Sequence, residues 1–285
     1  MMNFSRAKIG KLFSRFVIYA ILAAGAFVIL VPFAWTISTA LKTPQQALKV
    51  PPVWIPDPVV WENFLTAWKA KPFATFYSNS LIIAILNILG QILSCSLVAY
   101  GFARLRFPGR DALFLVMLGT LMIPFQILII PRFILFKNLG WLDSLLPLII
   151  PHFFGGAFNV FLLRQYFMSI PLELDDAARI DGCGHWGIFW RIIMPLSKPA
   201  LGAVMVFEFL NSWDDFLGPL IYLSKEKNYT VALGLAAFRN DYFIEWNLFM
   251  AAAALAMAIP LVIFFIAQKY FIEGVQLTGA GGVKG

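Results

Sequence analysis

The stretch DAARIDGCGHWGIFWRIIMPLSKP, residues 176–199, is polar and punctuated by glycine in a chain that is otherwise apolar. Of the 285 residues, 60% are hydrophobic and 13% are charged, whereas soluble domains average about 25% charged residues. The chain is therefore predicted to lie in a membrane, with residues 176–199 outside the lipid. Its aromatic residues and alanines indicate a surface for a soluble partner rather than an ordinary connecting loop.

Around this loop, six apolar stretches approach the ~20 residues that a helix needs to cross a bilayer. They lie at residues 16–41, 78–103, 110–136, 142–164, 200–222 and 248–272. The sequence thus predicts an all-α, polytopic membrane protein with six transmembrane helices. Its predicted parts are an N-terminal arm (1–15), one six-helix domain (16–272) that includes an outer loop (42–77) and a cytoplasmic loop (165–199), and a C-terminal tail (273–285).

The orientation of the spans follows from the basic residues in the short loops. The arm carries four basic residues and no acid, and Arg104, Arg106 and Arg110 lie in the next loop on the same side. The short loop at 137–143, on the opposite side, has one lysine. Both termini and the 165–199 loop are therefore predicted to face the cytoplasm. The net charge of +7 is explained by these flanking cations, so nucleic-acid binding is not indicated.

Two further patterns concern the outer loop and the spans. A short outer helix is predicted from Trp61 to Trp68, with Phe64, Leu65 and Trp68 on one face. Prolines within the spans either kink them around an internal path or simply reflect how common proline is in membrane helices. These prolines are Pro32, Pro124, Pro131, Pro147, Pro151 and Pro260.

Within the cytoplasmic loop the pattern predicts a helix, a glycine turn and a second helix. Asp175 and Arg179 are spaced to support the first helix, and Gly182 stands where that helix should end in a left-handed residue. Small and apolar side chains on its face should let another backbone come close; these are Leu174, Ala177 and Ala178. The second helix is predicted from about His185 to Met194, with Pro195 ending it.

The fifth span carries unusual polar residues. A carboxylate at mid-bilayer costs about 2.5–3.5 kcal/mol on insertion scales, so these groups must face water or partners. Glu208, Asn211 and Asp215 share one stripe of a helix, and Asp214 points elsewhere. Either the stripe lines a translocation path for a hydroxylated solute, or its residues pair across a subunit interface, or they lie near the end of a span. His152 and Asn159 in the fourth span are a weaker candidate pair, since a lone histidine is more often structural; His185 is expected to serve packing or docking.

No enzymatic motif is present in the sequence. It has no G-x-x-x-x-G-K-[ST] phosphate loop and no His and Glu cluster at metal-ligand spacing, so no metal site is predicted. Cys95 and Cys183 lie in different compartments and are predicted to be unpaired.

The DAARIDG run followed by GCGHWGIFWRIIMPLSKP resembles the EAA loop of permease subunits of binding-protein-dependent ABC importers. Other segments resemble the carbohydrate-uptake, maltose-type branch of that family: LKTPQQAL, YGFARLRFPGR, FLLRQYFMSIP, NSWDDFLGPL and the GGVKG terminus. The ordered set covers nearly the whole chain. The resemblance implies an ATP-driven importer subunit for sugars or related polyhydroxylated solutes, in a bacterial cytoplasmic (inner) membrane.

The same resemblance implies roles and partners. The loop would be a coupling helix seated in a homodimeric ABC ATPase, through Asp176, Ala177, Ala178, Arg179, Asp181, Gly182 and Pro195, and a tail of Gly282, Val283 and Lys284 would also reach the ATPase. A second homologous permease subunit and an extracytoplasmic solute-binding protein would complete the assembly. ATP and Mg²⁺ would be bound by the ATPase, leaving this chain without a cofactor.

Three departures from the family pattern stand out. Asp176 replaces the usual glutamate, Gly182-Cys183-Gly184 replaces Gly-Ala-Ser, and Asp214-Asp215 replaces Asn-Asp. Two alternatives remain at this point: an integral-membrane enzyme using Glu208 and Asp215 as acid and base, and a passive channel for polar solutes.

Overall fold

The computed structural model describes residues 3–238 and 244–279, with side chains for 14–238 and 244–269. All regular secondary structure in these residues is helical, as predicted. The α-helices are α1 (Asn3–Ala40), α2 (Pro44–Ala47), α3 (Glu62–Ala70), α4 (Phe73–Arg104), α5 (Arg110–Gly119), α6 (Phe125–Asn138), α7 (Leu146–Ile149), α8 (Ala157–Ser169), α9 (Glu173–Ile180), α10 (His185–Ile188), α11 (Met194–Leu196), α12 (Lys198–Asp214), α13 (Leu217–Tyr222), α14 (Val231–Ala236) and α15 (Trp246–Gly279). Single 3-10 turns lie at Thr120–Met122, Ile150–Phe154 and Glu226–Asn228, and a π-helical turn lies at Phe189–Ile193.

Within the described residues, four helical stretches are long and apolar enough to cross a bilayer: Ser14–Ala40, Phe73–Arg104, Leu146–Ser169 and Trp246–Lys269. Two more crossings result if each bent pair counts as one span. These pairs are Arg110–Met122 with Phe125–Asn138, bent by 95°, and His185–Leu196 with Lys198–Asp214, bent by 75°. The predicted fifth span is not one continuous helix, because α12 ends at Asp214 and Asp215 adopts an extended backbone.

The six prolines fall into two groups. Pro124 lies at the 95° bend, and Pro147 and Pro151 lie in the interrupted fourth span. Pro32, Pro131 and Pro260 lie inside α1, α6 and α15. Three of the six prolines therefore lie at a bend or in an interrupted span.

The chain divides into two compact units, Met1–Lys71 with Phe238–Leu255, and Pro72–Ala237 with Ala256–Gly285. In the first unit, the side chain of Asn63 in α3 binds the backbone at the C-terminal end of α1. Its Nδ2 donates to the carbonyl oxygens of Ala40 and Lys42, both at 2.8 Å, and its Oδ1 accepts from Nδ2 of Asn247 at 3.2 Å. The segment between α1 and α3 is thus held by an amide network.

The helix α3, Glu62–Ala70, forms over most of the predicted range of 61–68. Its buried residues are Asn63 and Ala67, whereas Phe64 and Trp68 of the predicted face are half-buried and Leu65 is 56% exposed.

In the second unit, α4, α8 and α12 pack together, and the 173–196 hairpin (α9, the turn, α10 and α11) extends their core. One hydrophobic cluster contains Cys95, Ala99 and Tyr100 of α4, residues of α8 and α12, and Ile188, Phe189 and Ile193 of the hairpin. The rings of Tyr100 and Phe189 lie 5.2 Å apart between centroids. The second half of the hairpin is therefore part of the packed bundle.

The fourth span is interrupted between the 3-10 turn and α8, at Gly155 with φ +84° and Gly156. Non-helical backbone at membrane depth is tolerated only when protein or a cavity satisfies its polar groups. Two residues of α4 do so here: Gln91 Nε2 donates to the His152 carbonyl oxygen at 3.1 Å, and the N–H of Gly156 donates to Cys95 Sγ at 3.2 Å. Cys95 is thus buried within the bundle, as expected for an unpaired thiol.

Candidate functional site

The turn of the 173–196 hairpin forms as the sequence predicts. Gly182 has φ +84°, its N–H donates to the Arg179 carbonyl, and the N–H of Cys183 donates to the Ala178 carbonyl at 2.8 Å. These bonds satisfy carbonyls at the end of α9. A Cβ atom at Gly182 would meet no neighbour, so the backbone conformation alone requires glycine there.

The hairpin has a buried face and an exposed face. Asp175 and Ala178 of α9 are buried, as are Ile188, Phe189 and Ile193 further along. Ile180 is 88% exposed and Trp186 is 68% exposed. Of the residues predicted to contact an ATPase, Ala178 is buried and faces the bundle core. The other six are exposed: Asp176, Ala177, Arg179, Asp181, Gly182 and Pro195. Large exposed apolar side chains next to charges are typical of an interface.

Asp175 does not form the predicted pair with Arg179. Asp175 Oδ2 instead lies 3.8 Å from Arg104 Nε, between side chains that are 2% and 1% exposed, and Arg179 pairs with Asp176 at 3.2 Å. Arg104 Nη2 also donates to the Ile170 carbonyl at 2.7 Å. The i, i+4 spacing of Asp175 and Arg179 therefore suggested the wrong partner for Asp175. Its partner is Arg104, because the last residue of α4 lies against the first turn of α9.

A second contact joins α4 to the hairpin: the Tyr100 hydroxyl donates to the carbonyl oxygen of His185 at 3.2 Å. Beside these contacts is a cleft of ≈ 780 Å³. Its charged lining residues are Arg104, Arg106, Arg110, Arg179, Asp175 and Asp176. The end of α4 and the first helix of the hairpin thus form one charged surface.

A separate cavity of ≈ 120 Å³ lies among α4, α6, α7, α12 and α13. Of the polar residues predicted in the fifth span, Asn211 and Asp215 line it, and Asp214 and Glu208 do not. His152 of the fourth span lines it as well. The structure therefore brings two of the four predicted residues to one cavity, together with the weaker candidate His152.

Glu208 lies in a buried network beside this cavity. It is 3% exposed, its Oε1 lies 2.6 Å from His152 Nδ1, and its Oε2 accepts from Asn159 Nδ2 at 3.5 Å. Asn159 Nδ2 also donates to Gln91 Oε1 at 3.0 Å. The carboxylate thus finds two partners in the fourth span, one of which also contacts Gln91 of α4, and these contacts offset the cost of burying it.

Several polar residues at this site were missed from the sequence: Asn87, Gln91, Arg132 and Tyr222. Asn87 and Gln91 had a usable signal, since two amides spaced i, i+4 in an apolar span must share a face and find partners. The described residues contain no group of three or more His, Cys, Asp or Glu side chains placed to hold a metal ion. Gly282, Val283 and Lys284 lie outside the described residues.

Interrupted spans around a polar cavity, with a packed polar hairpin between spans, define a polytopic transport permease. The chain belongs to the family described as "Binding-protein-dependent transport system inner membrane component", which matches residues 92–276. It is accordingly a multi-pass inner-membrane transport subunit and not an enzyme.

Curated relatives support this assignment. The chain is 38% identical over 232 residues to the arabinooligosaccharides transport system permease protein AraQ of Halalkalibacterium halodurans, covering 81% of each chain. It is 33% identical over 264 residues to the sn-glycerol-3-phosphate transport system permease protein UgpE of Yersinia enterocolitica, covering 90% of this chain and 94% of that protein.

Solved structures share the fold. A chain of a bacterial ABC transporter involved in the import of the acidic polysaccharide alginate matches with a TM-score of 0.79 and 23% identity, over 92% of this chain and 97% of that one. A chain of a bacterial alginate ABC transporter in complex with an alginate pentasaccharide-bound periplasmic protein matches with a TM-score of 0.66 and 16% identity, over 90% and 94% of the two chains.

Proposed function

We propose that this chain is one of two membrane subunits of an ATP-driven importer for sugars or related polyhydroxylated solutes. The family supplies the transport class, and relatives named for arabinooligosaccharides and sn-glycerol 3-phosphate point to small polyhydroxylated cargo. ATP and Mg²⁺ would be bound by a separate pair of ATPase subunits, because the sequence of this chain has no phosphate loop.

The observation that carries the proposal is the two-faced 173–196 hairpin. To change the ratio of two conformations from 1:99 to 99:1, a partner must bind one of them more tightly than the other by about 5.5 kcal/mol. An exposed ion pair such as Asp176–Arg179 supplies about 0–1 kcal/mol. Coupling therefore needs a packed element, and this hairpin combines exposed Ile180 and Trp186 with a face held in the bundle core.

The route by which the hairpin would act on the spans is short. Arg104 and Tyr100 of α4 contact α9 and α10, and Phe189 packs against Tyr100. Closure of the ATPase pair would then move the hairpin and α4 together as a rigid body, and the transport path would alternate between outward and inward access.

The remaining features of the proposal concern orientation and partners. The basic loops favour a cytoplasmic location for both termini and for the hairpin. We assign the ATPase contact to the exposed hairpin residues, with Asp176 reaching one methylene less far than a glutamate, and to the tail residues Gly282, Val283 and Lys284. A second permease subunit and an extracytoplasmic solute-binding protein would complete the importer.

Reconstitution of the purified complex in vesicles tests this function against its alternatives. The proposal expects uptake of a labelled arabinooligosaccharide or of sn-glycerol 3-phosphate only when the ATPase, ATP and a solute-binding protein are all present. Uptake without ATPase would indicate a channel, and chemical conversion of the solute by the isolated chain would indicate an enzyme.

A further inference from the structure

The two parts of the fourth span belong to different hydrophobic clusters, one on each side of the break at Gly155. The C-terminal part, α8, shares a cluster with Phe189 and its neighbours in the hairpin. The N-terminal part, residues 146–154, contributes Leu148 and Ile149 to a second cluster with residues of α4, α6, α13 and α14. The hairpin thus shares a core with one part of the span, whereas the other part lines the ≈ 120 Å³ cavity.

A layer of buried polar side chains lies between the two clusters. In α4 it consists of Asn87 and Gln91, which follow Ile83 of the second cluster and precede residues of the first. In α12 it consists of Glu208 and Ser212, and Asn87 Nδ2 donates to Ser212 Oγ at 3.0 Å. Apolar packing is not directional, but buried polar groups need particular partners. This layer therefore fixes how the two clusters are aligned.

Glu208 contacts both parts of the fourth span. Its Oε1 lies 2.6 Å from Nδ1 of His152, which precedes the break, and its Oε2 accepts from Nδ2 of Asn159, which follows it, at 3.5 Å. Gln91 makes a similar bridge, because its Nε2 donates to the His152 carbonyl oxygen at 3.1 Å and its Oε1 accepts from Asn159 Nδ2 at 3.0 Å. A carboxylate and an amide thus join the two parts across the break.

The backbone at the break does not join the two parts by helical hydrogen bonds. Gly155, with φ +84°, ends the 3-10 turn, and Gly156 has an extended backbone before α8. Residues of this kind, at the ends of elements, are where a chain can bend. Contacts with the carboxylate are charge-assisted, which makes them stronger than contacts between neutral groups. The alignment of the two parts therefore depends on the side chains that bridge them.

From this geometry we infer that Glu208 is a positioning residue for transport. With His152 and Asn159 it fixes residues 146–154 to α8 and α12, so that movement of the hairpin reaches the wall of the cavity. The inference rests on the proposed function and adds the residue that carries the movement past the break. Without the carboxylate, α8 would still follow the hairpin through their shared cluster, but residues 146–154 would bend at Gly155 and lag behind. ATP hydrolysis would then continue with less uptake per ATP.

The test measures uptake and ATP hydrolysis together in vesicles that contain the intact complex and the solute-binding protein. The probe is labelled arabinotriose or sn-glycerol 3-phosphate, whichever the wild-type complex takes up. Glu208→Ala removes both contacts, and Glu208→Gln keeps an oxygen toward His152 in a side chain of the same length. Asp214→Ala is the matched control, because Asp214 is an exposed carboxylate of the same helix and does not line the cavity.

Loss of a hydrogen bond to a charged group changes an equilibrium about tenfold. Glu208→Ala should therefore lower the number of solute molecules taken up per ATP hydrolysed about tenfold, Glu208→Gln should lower it less, and Asp214→Ala should leave it unchanged. Hydrogen exchange of residues 146–154 should rise in Glu208→Ala, while exchange in α8 stays as in the wild type. A purely structural role would instead lower uptake and ATP hydrolysis in equal proportion.

His152→Ala supplies an independent variant, because it removes the contact that precedes the break. It should also lower uptake per ATP, and the double variant with Glu208→Ala should lower it no further than Glu208→Ala alone, since both changes remove the same contact. An unchanged ratio of uptake to ATP hydrolysis, or a proportionate fall of both, would overturn the inference. If Glu208→Ala does not assemble, Glu208→Gln and His152→Ala decide by the same ratio. Absence of ATP-dependent uptake by the wild-type complex would instead contradict the proposed function.

Discussion

Arg104, the last residue of α4, and Asp175, in the first turn of α9, form a buried ion pair with Nε and Oδ2 3.8 Å apart. Both side chains are almost wholly inaccessible to solvent. The pair thus joins a helix long enough to cross the membrane to the helix proposed to dock on the ATPase. Removing either partner would leave an uncompensated buried charge.

The first prediction concerns this pair. Breaking a buried pair by removing one partner costs about 3–5 kcal/mol, so Arg104→Ala or Asp175→Ala should loosen the hairpin and reduce ATP-dependent uptake at least tenfold. Hydrogen exchange of residues 173–180 should rise in parallel. Arg110→Ala is the matched control, since Arg110 pairs with Asp111 at the surface, where a bond contributes about 0–1 kcal/mol. Equal effects of the two arginine variants would contradict the role assigned to Arg104.

The second prediction concerns the turn of the hairpin. Gly182→Ala forces a side chain into a left-handed conformation at a cost of about 1–2 kcal/mol, and Gly182→Val should cost more. Gly184 has φ −75° and open space around it, so Gly184→Ala should be tolerated. We expect uptake to fall in the order Gly184→Ala, Gly182→Ala, Gly182→Val, with membrane insertion unchanged on fractionation. Normal transport in Gly182→Val would argue against a coupling role for the turn.

The third prediction concerns a clasp between two loops of the second unit. Asp143 Oδ2 lies 2.8 Å from Lys225 Nζ, and Asp143 Oδ1 accepts from the N–H groups of Ser224 and Lys225. Its hydrogen bonds with Lys225 hold the pKa of Asp143 below its ordinary value of 3.8, and the same contact raises the pKa of Lys225 above 10.5.

The sign of each shift sets the pH range of the clasp. Stabilisation by Asp143 is complete above about pH 4 and is lost as the pH falls through its lowered pKa; stabilisation by Lys225 is complete below about pH 10 and is lost as the pH rises through its raised pKa. The difference in melting temperature between wild type and Asp143→Asn should therefore be constant from about pH 5 to pH 9 and shrink in stronger acid. Lys225→Ala should lower the melting temperature more than the nearby Lys227→Ala; equal shifts would exclude the ion pair as the cause.

The fourth prediction concerns packing at Gly234. A Cβ atom there would overlap the ring of Phe76, which is fully buried. Overpacking costs about 1–3 kcal/mol, so Gly234→Ala should lower the melting temperature of the purified protein. Gly101→Ala is the control, because its Cβ would meet open space within α4, where alanine is favoured over glycine by about 1 kcal/mol. If Gly101→Ala has the lower melting temperature of the two, the Phe76 ring must move aside to accept the Cβ atom at position 234, which contradicts the prediction.

Local chemistry explains which features could be predicted from the sequence. Apolar stretches of bilayer length identify the crossing segments, and Gly182 follows an amphipathic run where a helix must end, so the turn at φ +84° was predictable. Asp175 shows the limit: the i, i+4 spacing pointed to Arg179, and only the packing of α4 against α9 brings Arg104 closer.

The polar residues of the spans show the same limit. The cost of burying Glu208 predicted that it must have partners, but the identity of His152 depends on the distance between two spans. Likewise, Asn211 and Asp215 share a cavity although Asp215 lies beyond the end of α12, a break that helical periodicity does not predict.

Crosslinking of the hairpin to the ATPase tests the central claim most directly. Single cysteines at Ile180 and Trp186, in a chain without Cys95 and Cys183, would be crosslinked in intact cells, with a cysteine at exposed Lys137 as the control. The account predicts capture of an ATP-hydrolysing subunit from positions 180 and 186, in a yield that changes with bound nucleotide, and none from position 137. Failure of both hairpin positions to capture such a subunit, in cells that still take up solute, would contradict it.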